Sequence, residues 1–198
     1  MSGRAEYLCY TDGACKASDG APGGWGFCIK SPSGGLFEGY GKATGTLAKT
    51  MEYRAVAEAL SALPDRVRAV VFSDSQSLVE NLTKHSVAWR ERDFAKVDPH
   101  IVESVRRIDA SIVVKQLSVR FQWVRAHNGN AGNERADALA AQGAREAKAE
   151  IAEHSDEKRS LIKSTKERGS VRGRARSSEA ASLQSRSDPP ASRPLKRR

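Results

Sequence analysis

Cysteines, aromatic residues and long apolar runs are all scarce in this sequence of 198 residues. Its three cysteines, Cys9, Cys15 and Cys28, are odd in number and form no CxxC pair, which argues against a disulfide framework and a zinc site. No apolar run approaches the ~18 residues that a membrane span needs, and no charged-then-apolar leader is recognisable. We therefore expect a cytoplasmic protein, in a reducing compartment, without a membrane partner.

The positive charge of the chain is unevenly distributed. Lys and Arg number 33 against 24 Asp and Glu, a formal charge of +9, of which residues 151–198 carry +7. From about Ala149 onward Ser, Arg, Lys and Glu dominate, so this segment cannot bury enough apolar surface to offset chain entropy. We predict a folded domain over 1–148 and a basic, disordered tail over 149–198 that continues the last helix for a few turns.

Two roles are open for this tail. It is either a solvated, tolerated extension or an electrostatic arm that attracts nucleic acid without regard to sequence.

The first 148 residues have the pattern of an α/β domain. Apolar segments near the start, including a hairpin around the turn-forming cluster SPSGG, precede an alternation of strands and helical periods. The predicted order is β-β-β-α-β-α-α-β-α, which indicates a mixed sheet with helices packed on its faces.

Two aspartates follow segments that are predicted to be strands. Asp12 follows the run YLCYT and precedes Gly13, and Asp74 follows AVVFS. An aspartate in such a position is commonly a turn former or the N-cap of a following helix. The carboxyl ends of parallel strands are also where α/β sheets bind ligands, so both interpretations are open.

Two further carboxylates are predicted on helix faces that pack against the sheet. Glu52 shares the apolar stripe of Ala55 and Val56, and Asp137 lies on the side of Ala140. The ordinary interpretations are a first-turn glutamate favoured by the helix dipole and a solvent-facing aspartate. A carboxylate on an inner face otherwise costs free energy unless it is paired or coordinates a metal.

The four carboxylates converge if Asp12 and Asp74 lie on adjacent parallel strands. Carboxylates packed together repel one another, and their pKa values rise unless cations neutralise them. Oxygen ligands without Cys or His favour Mg²⁺ or Mn²⁺. The pattern is therefore typical of a two-metal site for phosphoryl transfer.

Four motifs together resemble type 1 ribonuclease H: TDGAC, ME, SDSQ and HNGNAGNERADALA, in the family's order and approximate spacing. The resemblance covers about residues 5–147 and includes the pattern H-x-G-x-x-x-N-x-x-A-D from His127 to Asp137. It implies an α/β, ribonuclease H-like fold, in which helices lie on both faces of a mixed five-stranded sheet. It also implies an endonuclease that hydrolyses the RNA strand of RNA–DNA hybrids, leaving 5′-phosphate and 3′-hydroxyl ends.

The resemblance also assigns roles to single residues. It implies that Asp12, Glu52, Asp74 and Asp137 are catalytic and hold two Mg²⁺ or Mn²⁺ ions. His127 matches a mobile-loop histidine that assists proton transfer or product release, the alternative being an ordinary surface histidine. The residues implied to contact substrate are Gly13, Cys15, Lys49, Gln76, Trp89, Arg125 and Asn133.

A glycine pair and a basic segment are further candidates for substrate contact. Gly23 and Gly24 are expected to bring main-chain groups to the minor groove and its 2′-hydroxyls, unless they form a plain loop. The segment WRERDFAKVDPH lies where bacterial members carry a basic handle that grips the DNA strand. Its aromatic and basic side chains fit stacking and phosphate contact, while its acidic residues dilute the charge. The alternative is a helix–helix connection with one anchoring tryptophan.

The sequence departs from the family pattern at two places on the substrate side. ASDGAPGG, with Ser18 and Asp19, stands where an asparagine-proline-glycine turn is common, and Ala48, Lys49 and Thr50 stand where an asparagine pair often precedes the helix glutamate. We expect Lys49 to replace hydrogen-bond recognition by a phosphate contact, which would lower selectivity for hybrids.

Two other functions are open. A non-catalytic module that binds hybrids is disfavoured by intact carboxylates at all four positions. Another nuclease of the same superfamily, such as a transposase or a junction resolvase, is disfavoured by the NERAD and SDSQ contexts. The expected partner is an RNA–DNA hybrid, and since nothing in the sequence indicates an obligate dimer, we expect a monomer.

Overall fold

A computed structural model describes residues 5–16 and 20–184, with side chains as far as Arg159. Ser18 and Asp19 and the end of the predicted tail, 185–198, lie outside the described residues. The strands are β1 (Tyr7–Cys15), β2 (Ala21–Lys30), β3 (Leu36–Thr46), β4 (Arg68–Ser73) and β5 (Ser118–Trp123). The helices are α1 (Ala48–Ala62), α2 (Gln76–Lys84), α3 (Ser86–Glu91), α4 (Val102–Val114) and α5 (Ala131–Gln184).

The five strands form one mixed sheet in the order β3-β2-β1-β4-β5. β2 pairs antiparallel with both β1 and β3, whereas β4 pairs parallel with both β1 and β5. β1 is thus the central strand, and its parallel neighbour is β4, which meets the condition for Asp12 and Asp74 to converge. The predicted fold class is confirmed.

One face of the sheet is covered by an apolar core beneath α1. Trp25, Phe27 and Ile29 of β2 pack with Val56 and Leu60 of α1 in this core. Helices α2 and α4 complete it with Leu78, Leu82, Val105 and Ile108. Burying side chains of this size stabilises a fold by about 1.5–3 kcal/mol each, so this layer is a major source of stability.

The other face of the sheet is covered by the start of α5, which approaches the strands at backbone distance. A Cβ atom on Gly24 would lie 2.2 Å from the Ala140 carbonyl oxygen, and one on Gly26 would lie 2.6 Å from the Ala136 carbonyl oxygen. A Cβ on Gly143 of the helix would lie 2.1 Å from the carbonyl oxygen of Gly41 on β3. Alternate residues of a strand point to opposite faces, so α1 and α5 lie on opposite sides of the sheet.

Two helical segments differ from the prediction. A short helix, α3, runs into the start of the handle segment, which the sequence treated as a connection. Asp93 and Phe94 after it have positive φ angles of 47° and 60°. Helix α5 continues to Gln184, well beyond the few turns expected past Ala149. The run 131–184 contains no proline and is rich in Ala, Glu, Lys and Arg, which all favour helix.

The chain divides into two compact units, Met1–Ile151 and Ala152–Arg198. Within the part of the chain that the structure describes, no helix combines the length and apolar character needed to cross a membrane.

Candidate active site

Asp12 lies inside strand β1, opposite Gly26 of β2, and the strand continues to Cys15. The ordinary interpretation of Asp12 as a turn former is therefore wrong. Its Oδ1 atom accepts a hydrogen bond of 2.7 Å from the backbone N–H of Gly13. The side chain is only partly exposed, on the central strand of the sheet.

Asp74 directly follows the last residue of β4. Tyr10 of β1 pairs with Phe72 of β4 in the parallel register. Asp12 lies two residues after Tyr10, and Asp74 lies two residues after Phe72. The N-cap of α2 is Ser75 rather than Asp74, and no side chain caps that helix. Asp74 is held through its backbone carbonyl, which accepts a 3.0 Å hydrogen bond from Nε1 of Trp123 on β5.

Glu52 lies in the second turn of α1, whose first turn contains no acidic residue. The helix dipole acts mainly on the first turn, so it does not explain a glutamate at this position. A Cβ on Gly13 would lie 2.3 Å from the backbone nitrogen of Glu52, so the glycine allows α1 to approach β1 beside Asp12. The structure thus accounts for Gly13 by packing against α1.

Asp137 lies in the second turn of α5, half-buried beside the fully buried Ala136 and Ala140. The turn before it is seated on β1, because a Cβ on Gly132 would lie 2.3 Å from the ring of Tyr10. Tyr10 and Asp12 are two residues apart on one strand and share a face. The start of α5 therefore covers the face of β1 to which Asp12 belongs.

The four carboxylates form one electrostatically coupled group. The pKa of Asp12 is raised to about 7, first by burial and then by the charges of Asp74, Asp137 and Glu52, against the lowering effect of the Gly13 N–H. The pKa of Glu52 is also raised, mainly by burial and further by Asp74, while a hydrogen bond with Ser75 opposes the shift. The structure thus brings together all four carboxylates that the sequence analysis selected.

The donor chemistry of this group fits hard divalent cations, since it offers carboxylate oxygens without His or Cys. Over residues 5–16 and 20–184, no three Asp, Glu, His or Cys side chains converge into a preformed set of metal ligands. The carboxylates are therefore near enough to raise the pKa of Asp12 but not closely packed around one point.

His127 lies in the exposed loop between β5 and α5, with a positive φ of 48°, two residues before Gly129 with a φ of 82°. It is not among the groups that shift the pKa of Asp12 or Glu52. The loop ends at Asn130, whose Oδ1 accepts hydrogen bonds from the N–H groups of Gly132 (3.1 Å) and Asn133 (3.2 Å). Asn130 is thus the N-cap of the helix that carries Asp137, a role that the sequence analysis missed although asparagine before a helix is a recognised signal.

The remaining predicted substrate contacts have different surroundings. Cys15 is half-buried, and its Sγ lies 3.3 Å from the Lys16 carbonyl oxygen. Gln76 is exposed and donates to Glu80 at 3.3 Å, and Arg125 is exposed in the loop after β5. Asn133 is only 3% exposed, and its Oδ1 has no hydrogen-bond partner among the described residues.

The handle segment offers fewer free cations than its sequence suggests. Arg90 donates a 2.7 Å hydrogen bond from Nε to the Asp109 carboxylate, so its positive charge is paired within the protein. Arg92 and Lys96 are exposed. Trp89 is half-buried, packs against the core and lies 6.0 Å from the ring of His85. Trp89 thus anchors the segment, as the alternative interpretation proposed.

Lys49, in the first turn of α1, forms an ion pair with Asp98 in the connection before α4. Asp98 also accepts a 2.8 Å hydrogen bond from the backbone N–H of His100, and these partners lower the pKa of its carboxyl. A phosphate that contacts Lys49 must therefore compete with a carboxylate already in place.

Gly23 and Gly24 were expected to bring main-chain groups to the minor groove and its 2′-hydroxyls, but the structure packs both glycines inside the protein. Both residues are buried. A Cβ on Gly23 would lie 2.5 Å from the Thr46 side chain, and one on Gly24 would meet the backbone of α5. Internal packing therefore explains these glycines.

A mixed five-stranded sheet with coupled carboxylates at its centre defines a ribonuclease H-like protein. The model of the RNase H family matches residues 4–145, and the chain belongs to this family. The resemblance that the four motifs predicted is confirmed.

Relatives and solved structures agree with this assignment. The chain is 42% identical over 137 residues to the ribonuclease H of Polaromonas naphthalenivorans (strain CJ2), a match that covers 68% of this chain and 84% of that protein. It resembles the crystal structure of RNase H1 from the halophilic archaeon Halobacterium salinarum NRC-1 with a TM-score of 0.54 and 28% identity, covering 71% of this chain and 97% of that one. The fold is also similar to LC11-RNase H1, solved in complex with an RNA/DNA hybrid, with a TM-score of 0.55 and 22% identity over 72% of this chain and 99% of that one.

Proposed function

We propose that this protein is an endonuclease that hydrolyses the RNA strand of RNA–DNA hybrids and leaves 5′-phosphate and 3′-hydroxyl ends. The observation that carries the proposal is the coupling of Asp12 to three other carboxylates. Burial and then the charges of these neighbours raise the pKa of Asp12 to about 7. Family membership and the relatives named ribonuclease H support the reaction, and the hybrid complex of LC11-RNase H1 guides the choice of substrate. We further place the protein in the cytoplasm, acting as a monomer.

Asp12, Glu52, Asp74 and Asp137 are the residues that we propose hold two Mg²⁺ or Mn²⁺ ions. When bound, such ions activate a water molecule and stabilise the charge on the leaving oxygen. The protein supplies a rigid frame for the ligands, because Asp12 lies on the central strand and Glu52 and Asp137 lie on helices packed directly against the sheet. A bound cation would offset both the burial and the repulsion that raise the pKa of Asp12, so the carboxylate would be ionised as a ligand at neutral pH.

His127 is proposed to move a proton or to assist product release from its exposed loop. The positive φ at His127 and at Gly129 places the ring on a sharply turned segment between β5 and α5. The nearby N-cap, Asn130, fixes the start of α5, so the loop can change while Asp137 stays in place.

The proposal is tested by a cleavage assay on a hybrid labelled on each strand in turn, with and without Mg²⁺. We expect metal-dependent cleavage of the RNA strand alone in the wild type and a loss of at least about 100-fold in the Asp74→Asn variant, since removing a metal ligand removes transition-state stabilisation. Asp65→Asn is the matched control, because Asp65 is exposed in the turn between α1 and β4.

A non-catalytic module that binds hybrids is the second candidate, and the same assay separates it from the first. Binding of the hybrid without strand cleavage at any metal concentration would reject the nuclease and favour the module.

A further inference from the structure

A groove lies beside α5, and its lining includes residues that follow Asp12 on β1 and Asp137 on α5. It has a volume of about 390 Å³ and lies between the end of β1, the start of β2 and α5. Its lining residues are Ala14, Cys15, Lys16, Pro22, Ala141, Ala144, Arg145 and Lys148.

The residues on the floor of the groove share a strand face with Asp12 and a helix face with Asp137. On β1, Ala14 follows Asp12 by two residues and shares its face. On α5, Ala141, Ala144 and Lys148 follow Asp137 by four, seven and eleven residues, which places them on the same face of the helix. Arg145 lies eight residues past Asp137, a distance of about 12 Å at the helical rise per residue.

The charges around the groove are segregated by sign. Arg145 and Lys148 are exposed on its α5 side and Lys16 on its β1 side, and none of the described lining residues is acidic. The acidic side chains of this part of α5 interact with residues of β3. Glu146 accepts hydrogen bonds from Tyr40 (2.9 Å) and Gln142 (3.0 Å), and Glu150 pairs with Lys42 at 2.9 Å.

We propose that this groove, built on small apolar residues and flanked by Lys16, Arg145 and Lys148, binds backbone phosphates of the nucleic-acid strand that passes the active site. This inference rests on the proposed function, which identifies the strand as part of an RNA–DNA hybrid. Alanines on the floor leave room for the sugars, while the cations neutralise phosphates and release counterions. At about 3.4 Å per nucleotide along a duplex, a separation of about 12 Å places these contacts roughly three to four nucleotides from the cleavage point.

The test compares the Arg145→Gln/Lys148→Gln double variant with a control that loses the same charge elsewhere. Lys30→Gln/Arg66→Gln is suitable, because both residues are exposed and neither lines the groove. The substrates are duplexes with one short RNA tract at a fixed position and with flanks extended by about four base pairs on one side at a time. Kd is measured by fluorescence anisotropy over a range of salt concentrations, and KM and kcat by cleavage.

We expect the groove variant to raise KM and Kd about tenfold and to reduce the salt slope by about two, with kcat and Tm unchanged. The loss of affinity should occur for the duplex whose flank is extended on one side and not for the duplex extended on the other. Equal Kd values and salt slopes for groove and control variants would overturn the proposal, as would an equal loss with either flank or a loss in kcat alone.

Failure of the proposed function gives a different result. If the wild type does not cleave the hybrid at all, the anisotropy measurements on the same duplexes still decide whether the groove binds one flank.

Discussion

Under the proposed function, Asp12 is the residue on which the chemistry of the site depends most directly. Its pKa is raised from 3.8 to about 7, so the folded chain retains a proton that the unfolded chain releases in this interval. This contribution to stability is fully present below pH 3.8 and is lost as the pH rises through about 7. Without a cation, the folded protein therefore becomes less stable between these two values.

We predict that Asp12→Asn stabilises the protein in a chelating buffer at pH 8, by about 1–3 kcal/mol, because it removes a buried charge from a repelling group. The gain should shrink toward pH 4, where Asp12 is protonated in the folded wild type and increasingly in the unfolded chain. Denaturant unfolding at both pH values measures the difference.

Adding Mg²⁺ at pH 8 should stabilise the wild type more than the variant, since only the wild type keeps the full ligand set. Asp65→Asn serves again as the control. A gain from Asp12→Asn that is the same at pH 4 and pH 8 would contradict the coupling of the carboxylates.

Helix α5 is the element that connects the fold to the site. Its start carries Asp137, and its packing on the sheet depends on glycines at which a side chain would meet backbone atoms. Backbone cannot rotate away as a side chain can, so this contact fixes the distance between α5 and the strands.

We predict that Gly143→Ala destabilises the protein by about 1–3 kcal/mol, because its Cβ would lie 2.1 Å from the Gly41 carbonyl oxygen and would push the helix off the sheet. The result is the opposite of the stabilisation, about 1 kcal/mol, expected from helix propensity alone. Thermal unfolding and hybrid cleavage should both decline, since Asp137 moves with the helix. Gly35→Ala is the control, because the nearest atom to its Cβ is the movable hydroxyl of Ser31 at 3.1 Å. If the two variants unfold at the same temperature, the close approach of α5 is not as described.

The sequence was sufficient for the order of the elements apart from α3 and for the proximity of the four carboxylates, since periodicity and motif spacing are local signals. It was insufficient for properties that depend on packing. Asp12 was placed at the end of a strand that in fact continues to Cys15, because pairing with β2 extends it. Gly23 and Gly24 were assigned to the substrate although α5 and Thr46 cover them, and α3 was missed because six residues carry too little helical period.

The distribution of charge distinguishes the two parts of the whole molecule. The residues after Glu150 hold most of the formal charge of +9, whereas the residues that carry the site are nearly neutral. We therefore expect the chemistry and the long-range attraction for an anionic substrate to be separable.

We predict that a chain truncated after Ile151 keeps the kcat of the full protein but binds hybrids more weakly and with a shallower dependence on salt. The boundary coincides with that between the two compact units, so the truncation leaves the first unit whole. Kd measured over a range of salt concentrations checks the prediction. A tail of the same composition in scrambled order should restore binding, and a tail with its Lys and Arg replaced by Gln should not. An unchanged salt slope after truncation would leave the tail as a tolerated extension.

The position of Asp137 on the last helix has a consequence during translation. Asp12, Glu52 and Asp74 are synthesised first, but the fourth carboxylate takes its place only after α5 has docked on the sheet. A nascent chain still attached to the ribosome near residue 137 therefore lacks a complete site. Under the proposed function, the enzyme becomes able to cut the RNA strand of a hybrid only after the start of α5 has left the ribosomal tunnel and docked on the sheet.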